Sequence, residues 1–122
     1  MGKRILIVDD EPEIVRVLQF RLEMNGFEIE GSHSGPDALE KISRFKFDLI
    51  LLDYFLPSIK GDEVCEEVRR NADYSKTPVI IMTAFSNYEP DYFKERGATE
   101  VIYKPLAMDD LMDKINASLV DG

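Results

Sequence analysis

At 122 residues the chain has room for one domain, residues 1–122, around one hydrophobic core. Its 24 acidic residues outnumber 15 basic ones, a formal net charge of −9, which argues against a sequence-independent grip on nucleic acid because that rests on Lys and Arg meeting phosphates. A single cysteine, Cys65, leaves no internal disulfide framework, and the N-terminal apolar run, Ile5 to Val8, is too short for a signal peptide or a membrane span, so a cytoplasmic protein is expected.

The first predicted element is a short apolar strand, Arg4–Val8, closed by Asp9, Asp10 and Glu11. A helix over Glu13–Met24 follows, with Ile14, Val17, Leu18, Arg21 and Leu22 along one side and Asn25-Gly26 as a left-handed stop. Phe27–Ser32 alternates apolar and polar residues and reads as a half-exposed edge strand. Ser34 or Gly35 caps the next helix, Pro36–Phe45, whose buried face is Ala38, Leu39, Ile42 and Phe45. The uniformly apolar run Phe47–Leu52 reads as a central strand ending in Asp53. A helix over Asp62–Ala72 carries Cys65 as an inert thiol, and Val79–Thr83 forms another central strand, followed by Ala84. A helix over Pro90–Arg96, a strand over Glu100–Tyr103 and a helix over Met108–Leu119 complete the chain; Leu111, Met112, Ile115 and Leu119 point inward in the last. Phe20, Phe27, Phe45 and Phe47 are expected in the core and His33 on a solvent-side loop. Tyr88, Tyr92 and Phe93 fit either the core or an exposed aromatic patch that would serve as a partner surface.

Strand and helix alternate five times, which specifies an α/β protein with a parallel sheet covered on both faces. Right-handed crossovers restrict it to doubly wound orders, and the edge character of Phe27–Ser32 selects the flavodoxin-like strand order 2-1-3-4-5, five helices making a three-layer sandwich. In such sheets ligands bind at the carboxyl ends of the strands. Asp9 and Asp10 then stand beside Asp53 on a neighbouring strand, and two carboxylates about 5 Å apart repel by about 3 kcal/mol. The cluster calls for a cation or a raised pKa, and an all-oxygen site open to water suits Mg²⁺. Lys104 and Thr83 face it from the other side. A phosphoryl group on Asp53 would have its oxygens divided among Mg²⁺, Lys104, the Thr83 hydroxyl and the Ala84 amide, with a carboxylate as nucleophile.

The blocks ILIVDDEP, LILLDYFLPSIKG, TPVIIMTA and YKPL resemble, in order and over essentially the whole chain, the four signature blocks of response-regulator receiver domains of the chemotaxis-regulator type. The resemblance implies a two-component signalling switch with Asp53 as phospho-acceptor. It implies Asp10 as a direct Mg²⁺ ligand, Asp9 acting through water, and the Phe55 carbonyl completing the protein ligands. Thr83 and Lys104 match the family's switch hydroxyl and phosphoryl-binding lysine, Pro57 and Gly61 match the loop after the acceptor, and Lys104-Pro105 matches a peptide bond usually kept cis. The implied partners are a histidine kinase or phosphotransfer protein and an output domain or downstream protein, with a phosphorylation-dependent dimer possible; neither nucleic acid nor membrane is contacted by this domain.

The chain departs from the family at Val101, where an aromatic residue usually stands three positions before the lysine. The nearest aromatic, Tyr103, is expected on the opposite face of its strand. Pro90 falls where the fourth helix usually runs, so that helix should begin there and be short, leaving Phe85–Glu89 as a longer, mobile loop. Phe55 and Phe85 flank the expected pocket, where two rings would restrict attacking water and lengthen the life of the phosphorylated state. The rivals are an enzyme with a phospho-aspartate intermediate, which would want an Asp where Phe55 stands, a flavin- or nucleotide-binding module, which would want a Gly-rich turn, and a phosphorylation-independent scaffold.

Overall fold

The computed structural model describes residues 2–85 and 87–120. Its strands are Arg4–Val8 (β1), Glu28–Ser32 (β2), Leu49–Asp53 (β3), Val79–Thr83 (β4) and Glu100–Tyr103 (β5). Its helices are Pro12–Glu23 (α1), Gly35–Arg44 (α2), Gly61–Arg70 (α3), Pro90–Lys94 (α4) and Met108–Val120 (α5), with a 3₁₀ turn at Ala72–Tyr74. The strands form one parallel sheet in the order β2-β1-β3-β4-β5, as expected.

Alternate residues of each strand face opposite layers. Ile5, Ile7, Leu49, Leu51, Ile80, Met82 and Ile102 pack against α1 and α5, through Val15, Leu18, Leu22, Leu111 and Ile115. Leu6, Val8, Ile50, Leu52, Val79, Ile81 and Val101 pack against α2, α3 and α4, through Ala38, Ile42, Val64, Val68 and Phe93. Two apolar layers around a central sheet are what continuous apolar strands require, since neither face can meet water.

The structure shifts several expected boundaries. β3 begins at Leu49 and takes in Asp53, and α3 stops at Arg70 rather than at residue 72. Asn71 ends α3 in an extended conformation, and its side chain accepts from the Asp73 amide to open the 3₁₀ turn. Ser34 caps α2 by accepting from the Asp37 amide, and Gly26 takes the left-handed conformation after α1 (φ 91°).

The buried stripe of α1 is Val15, Leu18 and Leu22, and the expected member Val17 is exposed. The phase is set by β2: a β-carbon on Gly31 would stand 2.7 Å from Val15 Cγ1, so the strand is hollowed to receive Val15. Phe20 and Phe45, expected inside, lie outside at 64% and 46% exposure. Phe47 and Tyr74 fill the interior near the second.

The segments leading into β4 and β5 are held by one side chain. Arg69, at the end of α3, donates from Nε to the Gly97 carbonyl (2.9 Å) and from one terminal nitrogen to the carbonyls of Tyr74 (2.8 Å) and Thr77 (2.6 Å). Its other terminal nitrogen reaches Thr99 Oγ1 at 3.4 Å, and Thr99 Oγ1 accepts in turn from the Val79 amide. The Tyr74 hydroxyl donates to the Phe45 carbonyl (2.7 Å) and accepts from the Phe47 amide (3.1 Å). Cys65, fully buried on α3, is a free thiol that burial pushes up to about 11.

Candidate functional site

The register brings the expected residues together. Val8 pairs with Leu52, Asp53 with Met82, and Thr83 with Tyr103, so Asp9, Asp53, Thr83 and Lys104 emerge at one edge of the sheet. Asp9, Asp53 and Thr83 are buried, whereas Asp10 is exposed. Each of Asp9, Asp10 and Asp53 offers a carboxylate oxygen lying within 4.8 Å of those of the others.

Lys104 answers part of this charge. Its Nζ donates to Asp9 Oδ2 at 2.9 Å and stands 3.5 Å from Asp53 Oδ1. Burial works against the ammonium, but the hydrogen bond to Asp9 and the charges of Asp53 and Asp9 outweigh it and hold its pKa above the ordinary value. Burial, and next the charge of Asp9, push the Asp53 carboxyl up to about 6, with Lys104 pulling the other way. One ammonium among three carboxylates leaves a negative surplus, open to water on the Asp10 side. That donor set, all oxygen and partly exposed, fits a small hard divalent cation.

Main-chain geometry holds these groups in place. Asp9 Oδ1 accepts from the Glu11 amide (2.9 Å). His33 is exposed, as expected, yet its Nδ1 lies 3.2 Å from the Asp9 carbonyl, a contact for which the sequence offers no signal. After Asp53 the chain turns through Ser58, whose φ of 72° is rare outside glycine. It returns at Gly61, where a β-carbon would collide with the Asp53 carbonyl oxygen, so only glycine lets α3 start against β3. The Lys104-Pro105 bond is cis, as expected.

The remaining expected residues take different roles. Thr83 Oγ1 is fully buried and accepts from the Phe85 amide at 2.9 Å, while Ala84 is exposed. Phe55 is 42% exposed and meets the Phe85 ring edge to face, with centroids 5.5 Å apart, at the rim of the site. Tyr103 does not face away from Val101: residues two apart on a strand share a face, and both lean toward the α3–α4 layer. The stretch expected as a mobile loop, Phe85–Glu89, includes Ser86, which lies outside the described residues; Phe85 and Tyr88 are half-buried and pack on the core. Phe93 is fully buried and Tyr92 half-buried, so the aromatic residues near α4 are core-linked rather than a free patch.

No helix among the described residues is long and apolar enough to cross a membrane. The structure resembles that of a CheY-like receiver domain protein from Methanospirillum hungatei, with a TM-score of 0.92 and 33% identity over 99% of this chain and 96% of that one. It is similar also to the response regulator TrrA of Thermotoga maritima, solved in complex with Mg²⁺ and BeF, with a TM-score of 0.87 and 37% identity over 96% of this chain and 99% of that one. By sequence it is 38% identical over 117 residues to the response regulator ArlR of Staphylococcus saprophyticus, covering 95% of this chain and 52% of the relative. The chain thus spans about half the length of the curated relatives it matches. The family model described as response regulator receiver domain matches residues 5–116. That match runs from β1 into α5 without a break, and the chain therefore belongs to the receiver-domain family of two-component response regulators.

Proposed function

We propose that residues 1–122 act as one receiver unit that accepts a phosphoryl group on Asp53, in a Mg²⁺-dependent reaction, from a histidine kinase or phosphotransfer protein. The observation that carries this reading is the Lys104 ammonium shared between Asp9 (2.9 Å) and Asp53 (3.5 Å) beside a third carboxylate, Asp10. Asp10, Asp53 and the Phe55 carbonyl would hold the ion directly and Asp9 through water; when bound, it offsets the cluster's surplus charge so that an anionic phosphoryl group can approach. The TrrA complex with Mg²⁺ and BeF, in a protein of the same fold, supports that choice of ion.

An Asp53 oxygen attacks phosphorus from the side opposite the leaving group. The bond from phosphorus to the donor's imidazole nitrogen breaks, its electron pair stays on the ring, and the ring takes up a proton. Lys104, the Thr83 hydroxyl and the Ala84 amide then receive the phosphoryl oxygens. The group adds about two negative charges at pH 7, enough to bias a surface read by an output domain or a downstream protein. The domain is a phospho-acceptor that assists its own phosphorylation and dephosphorylation, not an enzyme acting on external substrates: an acid–base residue two positions after the nucleophile is missing, because that residue is Phe55. The reading places the chain in the cytoplasm, where the buried thiol of Cys65 stays reduced.

Incubation with Mg²⁺ and a small phosphodonor, followed by mass measurement of the intact protein, tests it. A gain of one phosphoryl group that Asp53→Asn abolishes supports the switch. Repeated release of inorganic phosphate over many turnovers points to a phosphatase, and no gain of mass overturns the reading.

A further inference from the structure

The peptide unit that joins Asp9 to Asp10 carries a contact that the acceptor chemistry does not use. Past the last pair of β1 and β2, Val8 with Ser32, the Asp9 amide still donates to the Ser32 carbonyl at 3.0 Å. The chain then leaves the sheet and enters α2 at Gly35. The His33 ring takes the place of the next main-chain donor, with its Nδ1 3.2 Å from the Asp9 carbonyl. A carbonyl only accepts, so this bond puts the proton on Nδ1. The ring is delivered by a stiff piece of chain, because His33 stands between two serines tied to the first turn of α2. Ser32 Oγ, fully buried, donates to Asp37 Oδ2 (2.7 Å), and Ser34 Oγ accepts from the Asp37 amide (3.2 Å). Every polar group of Asp9 is thereby engaged: the amide by Ser32, the carbonyl by His33, and the carboxylate by the Glu11 amide (2.9 Å) and the Lys104 ammonium (2.9 Å). Asp10 is exposed, and its place follows from the plane of the peptide that His33 holds.

We propose that His33 is a positioning residue of the acceptor site: by fixing the Asp9–Asp10 peptide it presets the Asp10 carboxylate for Mg²⁺ and sets the preference for Mg²⁺ over larger divalent cations. This role rests on the Mg²⁺-dependent phospho-acceptor reading. Mg²⁺ demands near-octahedral oxygen ligands at about 2.0–2.1 Å, whereas Ca²⁺ accepts a looser shell at about 2.3–2.6 Å. A carboxylate carried on a fixed peptide therefore suits the smaller ion. Freeing that peptide costs Mg²⁺ the ordering of one ligand, while Ca²⁺ tolerates the added play.

The probes are Mg²⁺ alone and Ca²⁺ alone, titrated calorimetrically into the full chain at pH 8, where the Asp53 carboxyl, raised to about 6, has lost its proton. His33 is exposed, so its truncation leaves no cavity in the core. His33→Ala removes the donor and should weaken Mg²⁺ binding about threefold to tenfold, the worth of one hydrogen bond, while Ca²⁺ binding changes less than about twofold. His33→Asn keeps an N–H where Nδ1 stands and should restore both affinities to within about twofold of the unaltered protein. In phosphorylation by a small donor, the Mg²⁺ concentration giving half the full rate should rise in His33→Ala by the same factor as the Kd, and the rate at saturating Mg²⁺ should not change. The assigned role of His33 is overturned if His33→Ala binds Mg²⁺ as well as the unaltered protein does, or if His33→Asn restores nothing. It is overturned also if both ions weaken by one factor, the mark of a bond that only holds the fold. Mg²⁺ binding that neither variant alters defeats the role of His33 only, whereas no Mg²⁺ binding and no phosphoryl gain in the unaltered protein defeat the phospho-acceptor reading and this role with it.

Discussion

The two ends of the sheet are built on opposite principles. At the amino ends of β4 and β5, one guanidinium meets the carbonyls of Tyr74, Thr77 and Gly97, all neutral acceptors at hydrogen-bond distance, and ties the two loops together. At the carboxyl ends, two of three clustered carboxylates share one ammonium, and the loop after Asp53 carries Ser58 at a φ of 72°. The first end is satisfied and should resist change; the second holds unresolved charge and backbone strain, which a ligand can relieve. Stability is concentrated where nothing reacts.

The largest effect is expected where the satisfied end is cut. Arg69→Met removes the donor that the half-buried carbonyls of Thr77 and Gly97 share and should lower unfolding stability by about 3 kcal/mol in chemical denaturation, while the folded fraction still gains a phosphoryl group. A loss under about 1 kcal/mol would mean that the clamp is not what holds this edge.

At the charged end, Mg²⁺ binding should depend steeply on pH. The Asp53 carboxyl, raised to about 6, must lose its proton to take the ion, so affinity should fall about tenfold per pH unit below that value and level off above it. Proton release on titration with Mg²⁺ at pH 5.5, absent at pH 8, is the accompanying signature. In the metal-free protein the same raised pKa works in the opposite sense: the folded state binds the proton more tightly than the unfolded one, so this group's contribution to stability grows as pH falls from about 6 toward 3.8.

A smaller effect concerns the rim. Replacing Phe55 and Phe85 together by Ser should shorten the phosphoryl lifetime by several-fold, measured by the decay of intact phosphorylated mass, because two rings in contact at 5.5 Å no longer limit the approach of water. A longer or unchanged lifetime would refute that role. The smallest is Ser58→Gly, which removes the left-handed strain and should stabilise the fold by about 0.5 kcal/mol, less than any change at the opposite edge.

Legibility in the sequence divides along the same line. Strand order and the convergence of Asp9, Asp10, Asp53, Thr83 and Lys104 at one edge of the sheet are legible because apolar runs mark strands and these runs end in polar residues whose place in the sheet follows from topology. The clamp was not readable: Arg69 finds its partners on main-chain atoms up to 28 residues away, and carbonyls leave no mark in composition. Helix phase was read imperfectly for α1, where Val15 rather than Val17 turns inward, because the deciding feature is the hollow at Gly31 on a different strand. Phe20 and Phe47 belong to one residue type, and only packing separates the exposed ring from the buried one. Comparison with its lysine neighbour puts Tyr103 on the wrong face; the two-residue repeat of a strand sets it beside Val101.

The burial of Cys65 has a practical corollary. With its sulfur sealed inside the α3 layer and its pKa pushed up to about 11, the one native thiol is blind to maleimides near neutral pH as long as the fold is intact. A reporter cysteine placed on the exposed side of α4 or α5 would therefore carry its dye alone, with no native residue to remove beforehand.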